Sequence, residues 1–189
     1  MVFEERPLVT FNFSDSIAKF KSCFDESKLA TDVSSLGVDK ALLESACVAF
    51  IKADKDTRDI WLTWFHCPSD GILFKMIHEL ATKLCALESF KPIQINDLSR
   101  ALVIVCSNSH STETGGALYR MAAMLAHSCF PNMIYSTLAG ERVIKALRPI
   151  EKAEMLSISY VGVSVLMLPT ELRRGKIKCF YYRSIYNFI

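Results

Sequence analysis

Apolar positions follow a helical rhythm through the first part of this chain and an alternating one through much of the rest. Leu42, Leu43, Ala46, Cys47 and Phe50 recur at helix spacing, as do Leu73, Ile77, Leu80, Leu84 and Leu87, and then Leu98, Leu102 and Val105. Asp39, Asp70 and Asn96 stand just ahead of these runs, where a short polar side chain can accept from the first unpaired amides of a helix. Trp61, Trp64 and Phe65 predict a further short helix or its packing surface, and Pro68 and Pro92 mark breaks. The helical stretch runs from Ser14 to about Ser107. Before it, Val2 to Val9 reads as a short strand interrupted at Pro7, which cannot donate to a ladder. After Gly115 and Gly116 the texture is β-like. Met133–Leu138 and Arg142–Leu147 form a hairpin through Ala139, Gly140 and Glu141, and Leu156, Ile158 and Tyr160 alternate with Ser157 and Ser159 as a half-buried strand. The order predicts an α+β fold: strand, helical insert, small sheets, tail.

At 189 residues, 51% of them hydrophobic, the chain can bury one sizeable core and needs no second domain. A formal charge of +2 with no run of like charge argues against direct nucleic-acid binding. The cysteines at 23, 47, 67, 85, 106, 129 and 179 form no C-x-x-C pair, and their odd number and scatter fit a reducing compartment better than a disulfide framework. Met1 to Arg6 is acidic where a signal peptide would be basic and then apolar, and no apolar run approaches a membrane span. A cytoplasmic or nuclear protein without membrane contact is expected. The positive mean hydropathy, +0.23, predicts apolar surface that other sequence normally covers.

Two short segments carry the chemistry: His127-Ser128-Cys129-Phe130-Pro131-Asn132 and, some thirty residues on, Ile158-Ser159-Tyr160. In order and spacing they resemble the paired motifs of the SET-domain protein-lysine methyltransferases, written N-H-S-C-x-P-N and G-E-E-x-x-x-x-Y. Val2 to Val9 resembles that family's F-E-E-x-P-L-V strand. Asn108-Ser109-His110 resembles the N-x-H turn, and Pro169 to Arg174 the P-T-x-x-R-R segment, of the SET-and-MYND-like or TPR-SET-like subgroup; a MYND zinc module is missing. The resemblance implies a SET-domain β-fold of small sheets with a pseudoknot, carrying a large helical insert. Residues 1–177 would form a partial SET domain, with an N-terminal strand at 1–13, the insert at 14–114 and the C-terminal core with its pseudoknot motif at 115–168. Residues 169–189 would be a degenerate post-SET tail.

The function so implied is S-adenosyl-L-methionine-dependent methylation of protein lysine, histones included. The amine must approach opposite the departing sulfur, so positioning is most of the catalysis, and an apolar channel favours the neutral amine. Tyr160 takes the catalytic position, where a protonated phenol can orient the amine; read from the residues alone, it ends a core strand. His127, Ser128, Asn132 and Ala126 fall on the cofactor side, although buried polar residues at such a crossing can equally serve the loop. Cys129 has two further readings. As a nucleophile with His127 it lacks an orienting third group, and residues two apart on a loop diverge. As a zinc ligand it has only Cys179 for company where the subgroup has three more cysteines, so no metal is expected.

The pattern is incomplete. No G-x-G occurs, so the first strand and cofactor-cradling glycine loop are missing and an N-terminally truncated domain is expected. Ala126 replaces the motif's first Asn, and Ala153-Glu154-Met155 replaces G-E-E. Activity is thereby put in doubt. The competing expectation is a non-catalytic SET-like interaction module whose helical insert binds a protein partner.

Overall fold

In a computed structural model the described residues are 2–25, 39–64 and 71–181, with side chains described through Gly175 apart from Phe24 and Asp25. Phe65, Cys67, Pro68 and Asp70, which entered the sequence argument, lie outside them, as does the Cys179 side chain. The architecture is α+β, with small antiparallel sheets and several helices. Two compact units emerge, one of residues 1–7 with 119–182 and one containing 8–118. The boundaries between the units fall after Pro7 and after Leu118.

The strand expected over Val2–Val9 is two strands in different sheets. β1 (Val2–Glu5) pairs antiparallel with a later strand of the first unit, and β2 (Val9–Asn12) belongs to the second. Pro7, unable to donate, sits between them.

In the second unit α1 (Phe20–Asp25), α2 (Lys40–Lys52), α3 (Lys55–Leu62), α4 (Ile72–Cys85) and α5 (Ile95–Asn108) accompany a sheet ordered β2, β4 (Gly115–Leu118), β3 (Ser109–Ser111). Asp39 caps α2 as expected, accepting from the Ala41 N–H at 2.8 Å, and Asp54, which the apolar pattern did not single out, caps α3 through Thr57 at 2.7 Å. Asn96 is not a cap: α5 starts at Ile95 with Gln94 in the cap position, so Asn96 lies in its first turn. Leu87 falls beyond α4, just ahead of a 3₁₀ turn at Glu88–Phe90. The core gathers Leu43, Phe50, Ile77, Leu80, Leu84, Leu98 and Leu102, all buried. Trp61 joins it between Phe11, 5.7 Å away, and Phe50, 5.2 Å away and edge-on. Gly115 has a steric reason to be glycine, since a Cβ there would sit 2.0 Å from the Phe11 carbonyl oxygen across the β2–β4 ladder.

The first unit holds the sheet β1, β7 (Glu141–Ala146), β6 (Met133–Leu138) and the parallel pair β5 (Ala126–His127) and β8 (Ser157–Ile158). α6 (Val163–Leu166) and α7 (Thr170–Tyr181) follow. The hairpin has a two-residue turn, Ala139-Gly140, with φ of 50° and 83°. Positive φ at both central residues is the geometry that matches strand twist, and alanine is a poor occupant of the first. Under this hairpin Arg142, 2% exposed, lies between the rings of Tyr119 at 4.6 Å and Tyr135 at 4.4 Å. The Tyr119 hydroxyl closes the turn by donating to the Gly140 carbonyl at 2.6 Å. Glu5 on β1 accepts from the Met121 and Ala122 amides at 2.6 and 3.2 Å, fixing the approach to β5.

Two substitutions separate these constraints. Ala139→Asn should raise stability by roughly 1 kcal/mol, because asparagine tolerates the left-handed turn. Gly115→Ala should lower it by roughly 2 kcal/mol through forced strand separation. Urea unfolding of both variants against the parent measures each.

Candidate functional site

The two motif segments lie side by side in the first unit. β5 and β8 run parallel, with Ala126 opposite Ser157 and His127 opposite Ile158, and the Ser128 amide extends the ladder to the Ile158 carbonyl at 2.9 Å. The strand ends at Ile158, so the expected alternation as far as Tyr160 is shorter than the pattern implied. Ser157 and Ile158 are both buried, and Tyr160 is 43% exposed.

Asn132, 2% exposed, ties the end of the loop to this ladder. Its side-chain amide donates to Glu154 Oε1 at 3.0 Å and to the Met155 carbonyl at 2.9 Å. Its side-chain oxygen accepts from the Ser157 amide at 2.9 Å and the Ser157 hydroxyl at 3.4 Å. Both donors and both acceptor positions are thus engaged within the chain. Of the two roles open to Asn132, its geometry serves the loop. Pro131 directs the backbone into this crossing, and the Ser128 hydroxyl oxygen accepts from the Phe130 amide at 3.0 Å, leaving the Phe130 ring 84% exposed.

His127 and Tyr160 meet directly. The Tyr160 amide donates to His127 Nδ1 at 3.0 Å, and the rings lie 5.4 Å apart. Because Nδ1 accepts, the neutral imidazole carries its proton on Nε2, which points at Cys129 Sγ 3.4 Å away. Burial pushes the His127 pKa below its ordinary value, favouring this neutral form. Contrary to the divergence expected of side chains two apart on a loop, the His127 and Cys129 side chains thus converge, and an orienting group exists in the Tyr160 N–H. The same bond defeats a Cys129 nucleophile: Nε2 already holds a proton and cannot take the thiol's. The Tyr160 phenol donates to the Leu125 carbonyl at 2.5 Å, and burial raises its pKa, so it stays protonated.

Ala126, the remaining cofactor-side residue, is half-buried on β5 and offers only backbone groups. Glu154, Arg148 and Ser157 were not singled out as site residues from the sequence. Glu154 stood in the G-E-E segment and was legible there; the isolated Arg148 and Ser157 carried no signal. Arg148 grips both oxygens of Glu154 at 2.5 and 3.3 Å, and the Glu151 amide adds a third bond at 3.0 Å. These bonds, Arg148 first and then Asn132, hold the Glu154 carboxyl down to about 2. Ala153, where the family motif has glycine, has φ of 69°, a conformation that glycine adopts without strain.

Among the described residues no group of three or more His, Cys, Asp or Glu side chains is placed to hold a metal ion, and no helix is long and apolar enough to cross a membrane. In comparisons with known proteins, no family model and no curated sequence matches this chain.

Two measurements probe the site's scaffold. With its folded pKa below that of the unfolded chain, Glu154 contributes stability that is complete above about pH 4.5 and lost as pH falls toward about 2. The melting-temperature gap between the parent and Glu154→Gln should therefore be widest near neutrality and close across that interval. Ala153→Gly should raise the denaturation midpoint in urea, by roughly 1 kcal/mol of relieved backbone strain.

Proposed function

We propose that this chain is a SET-domain protein of the S-adenosyl-L-methionine-dependent protein-lysine N-methyltransferase class, with Tyr160 as its catalytic residue. The observation that carries the reading is the parallel β5–β8 pairing, which brings the His127–Asn132 loop against the segment ending in Tyr160. Left-handed backbone at Ala153, where the family has glycine, and the Asn132–Glu154 bond between the two motif segments support it. The bound cofactor would supply an electrophilic methyl group on a sulfonium sulfur.

The residues fit such a cofactor in a restricted way. Asn132 has its amide committed to Glu154, Met155 and Ser157, and His127 directs its ring at Tyr160 and Cys129. Holding the cofactor would then fall to the Ser128 hydroxyl and to those main-chain groups of residues 126–128 that the β5–β8 ladder does not use. Tyr160, protonated and anchored at the Leu125 carbonyl, would present its phenol oxygen to an incoming lysine amine without ionising.

The second reading, a non-catalytic SET-like module that binds a protein partner, is favoured by these same internal commitments and by the exposure of Phe130, Met155 and Met167.

Calorimetry with S-adenosyl-L-methionine and radiolabelled methyl transfer to histones or a cytosolic protein pool separate the two. The enzyme reading expects binding heat, label in protein, and a loss of about 10²-fold on Tyr160→Phe with the heat retained. Neither heat nor label would overturn it, and a stable protein complex in that case would establish the rival.

A further inference from the structure

The contact between His127 and Tyr160 joins an imidazole nitrogen to a main-chain amide, and that choice of atoms has a chemical consequence. An amide N–H can only donate, so Nδ1 must keep its lone pair for the 3.0 Å bond to exist. On the other edge of the ring, Nε2 with its proton faces Cys129 Sγ at 3.4 Å, so both ring nitrogens are matched only in the neutral Nε2–H form.

We propose that His127 is a proton-controlled latch: neutral, it fastens the backbone of Tyr160 to the loop after β5, and protonated, it lets go. A second proton has to enter at Nδ1, where it would confront the Tyr160 N–H, two donors at hydrogen-bonding distance with no acceptor between them. The ring must then turn away, and the Cys129 contact and the approach of the two rings go with it. What yields is the short stretch after Ile158, since the ladder bonds of Ala126 to Ser128 do not involve the imidazole.

Among the described residues, titratable groups that face the ring include the Cys129 thiol, from the loop after β5, and the Tyr160 phenol, from the segment after β8. The phenol donates to the Leu125 carbonyl. Arg148 and Glu154, the charged pair on the loop leading into β8, are bound to each other, and Glu154 also accepts from Asn132. Burial holds His127 neutral to lower pH than a free histidine, so the latch is closed near neutrality and opens on mild acidification.

The latch bears on the proposed methyl transfer only through Tyr160, and its readouts need no cofactor. A chain that binds no S-adenosyl-L-methionine would sink the enzyme reading and leave this one standing. Nitrogen-15 NMR of the intact protein, titrated downward from about pH 8, tests it. Near neutrality His127 Nδ1 should resonate as an unprotonated ring nitrogen and Nε2 as a protonated one. As pH falls, the Tyr160 amide should shift with the midpoint of His127, below that of a free histidine, and lose roughly fivefold in exchange protection. His127→Asn, whose side-chain oxygen can take the place of Nδ1, should keep the Tyr160 amide protected and make its shift insensitive to pH in that range. A protonated Nδ1 near neutrality would overturn the proposal in the wild-type protein, without reference to any variant. So would a His127 titration that leaves the Tyr160 amide unmoved.

Discussion

Asn132 is buried and must therefore find a partner for every polar atom of its amide. It finds them on one stretch of chain, Glu154 to Ser157, and in doing so fixes where β8 lies against β5. Moving that stretch by one residue would strand two donors and two acceptors out of water, a penalty larger than most single contacts supply. The register of the parallel ladder, the meeting of His127 with the Tyr160 amide and the anchoring of the phenol at Leu125 all inherit their positions from this one side chain. Arg148 acts a step further out. By holding the Glu154 carboxylate ionised it keeps one of the four partners an acceptor.

Much of the fold was legible because its signals are local. The apolar rhythm of Leu43 to Phe50, Leu73 to Leu84 and Leu98 to Val105 named three helices, and Ala139-Gly140 named the hairpin between β6 and β7. The errors share a cause as well. Asn96 has the composition of a cap but lies in the first turn of α5, where Gln94 takes the cap position without a side-chain bond. The strand over Val2–Val9 reads as interrupted at Pro7, yet its halves find partners in different sheets, and no local feature says which partner each will take.

For the candidate site, proximity of the two motif segments was expected from the resemblance alone. Their contacts were not legible in advance. Nothing in the spacing of His127 and Cys129 indicates that both would turn to one side, because side-chain direction on an irregular loop depends on what the backbone pairs with. Ser157 is a serine in an alternating run until Asn132 is brought opposite it. Glu5, whose carboxylate accepts two amides ahead of β5, belongs to a strand more than a hundred residues earlier. Arg142 was invisible for another reason: a strand arginine is ordinarily read as solvent-facing, and here the rings of Tyr119 and Tyr135 flank its buried guanidinium.

Both tryptophans of the chain, Trp61 and Trp64, lie in the helix-rich unit, with Trp61 fully buried and Trp64 nearly so. Intrinsic fluorescence of this protein is consequently a report on one unit, and the unit that carries His127, Asn132 and Tyr160 is dark to it. An optical melting curve at indole wavelengths follows the helix-rich unit, and tyrosine absorbance at Tyr119, Tyr135 and Tyr160 is the native spectroscopic handle within the other.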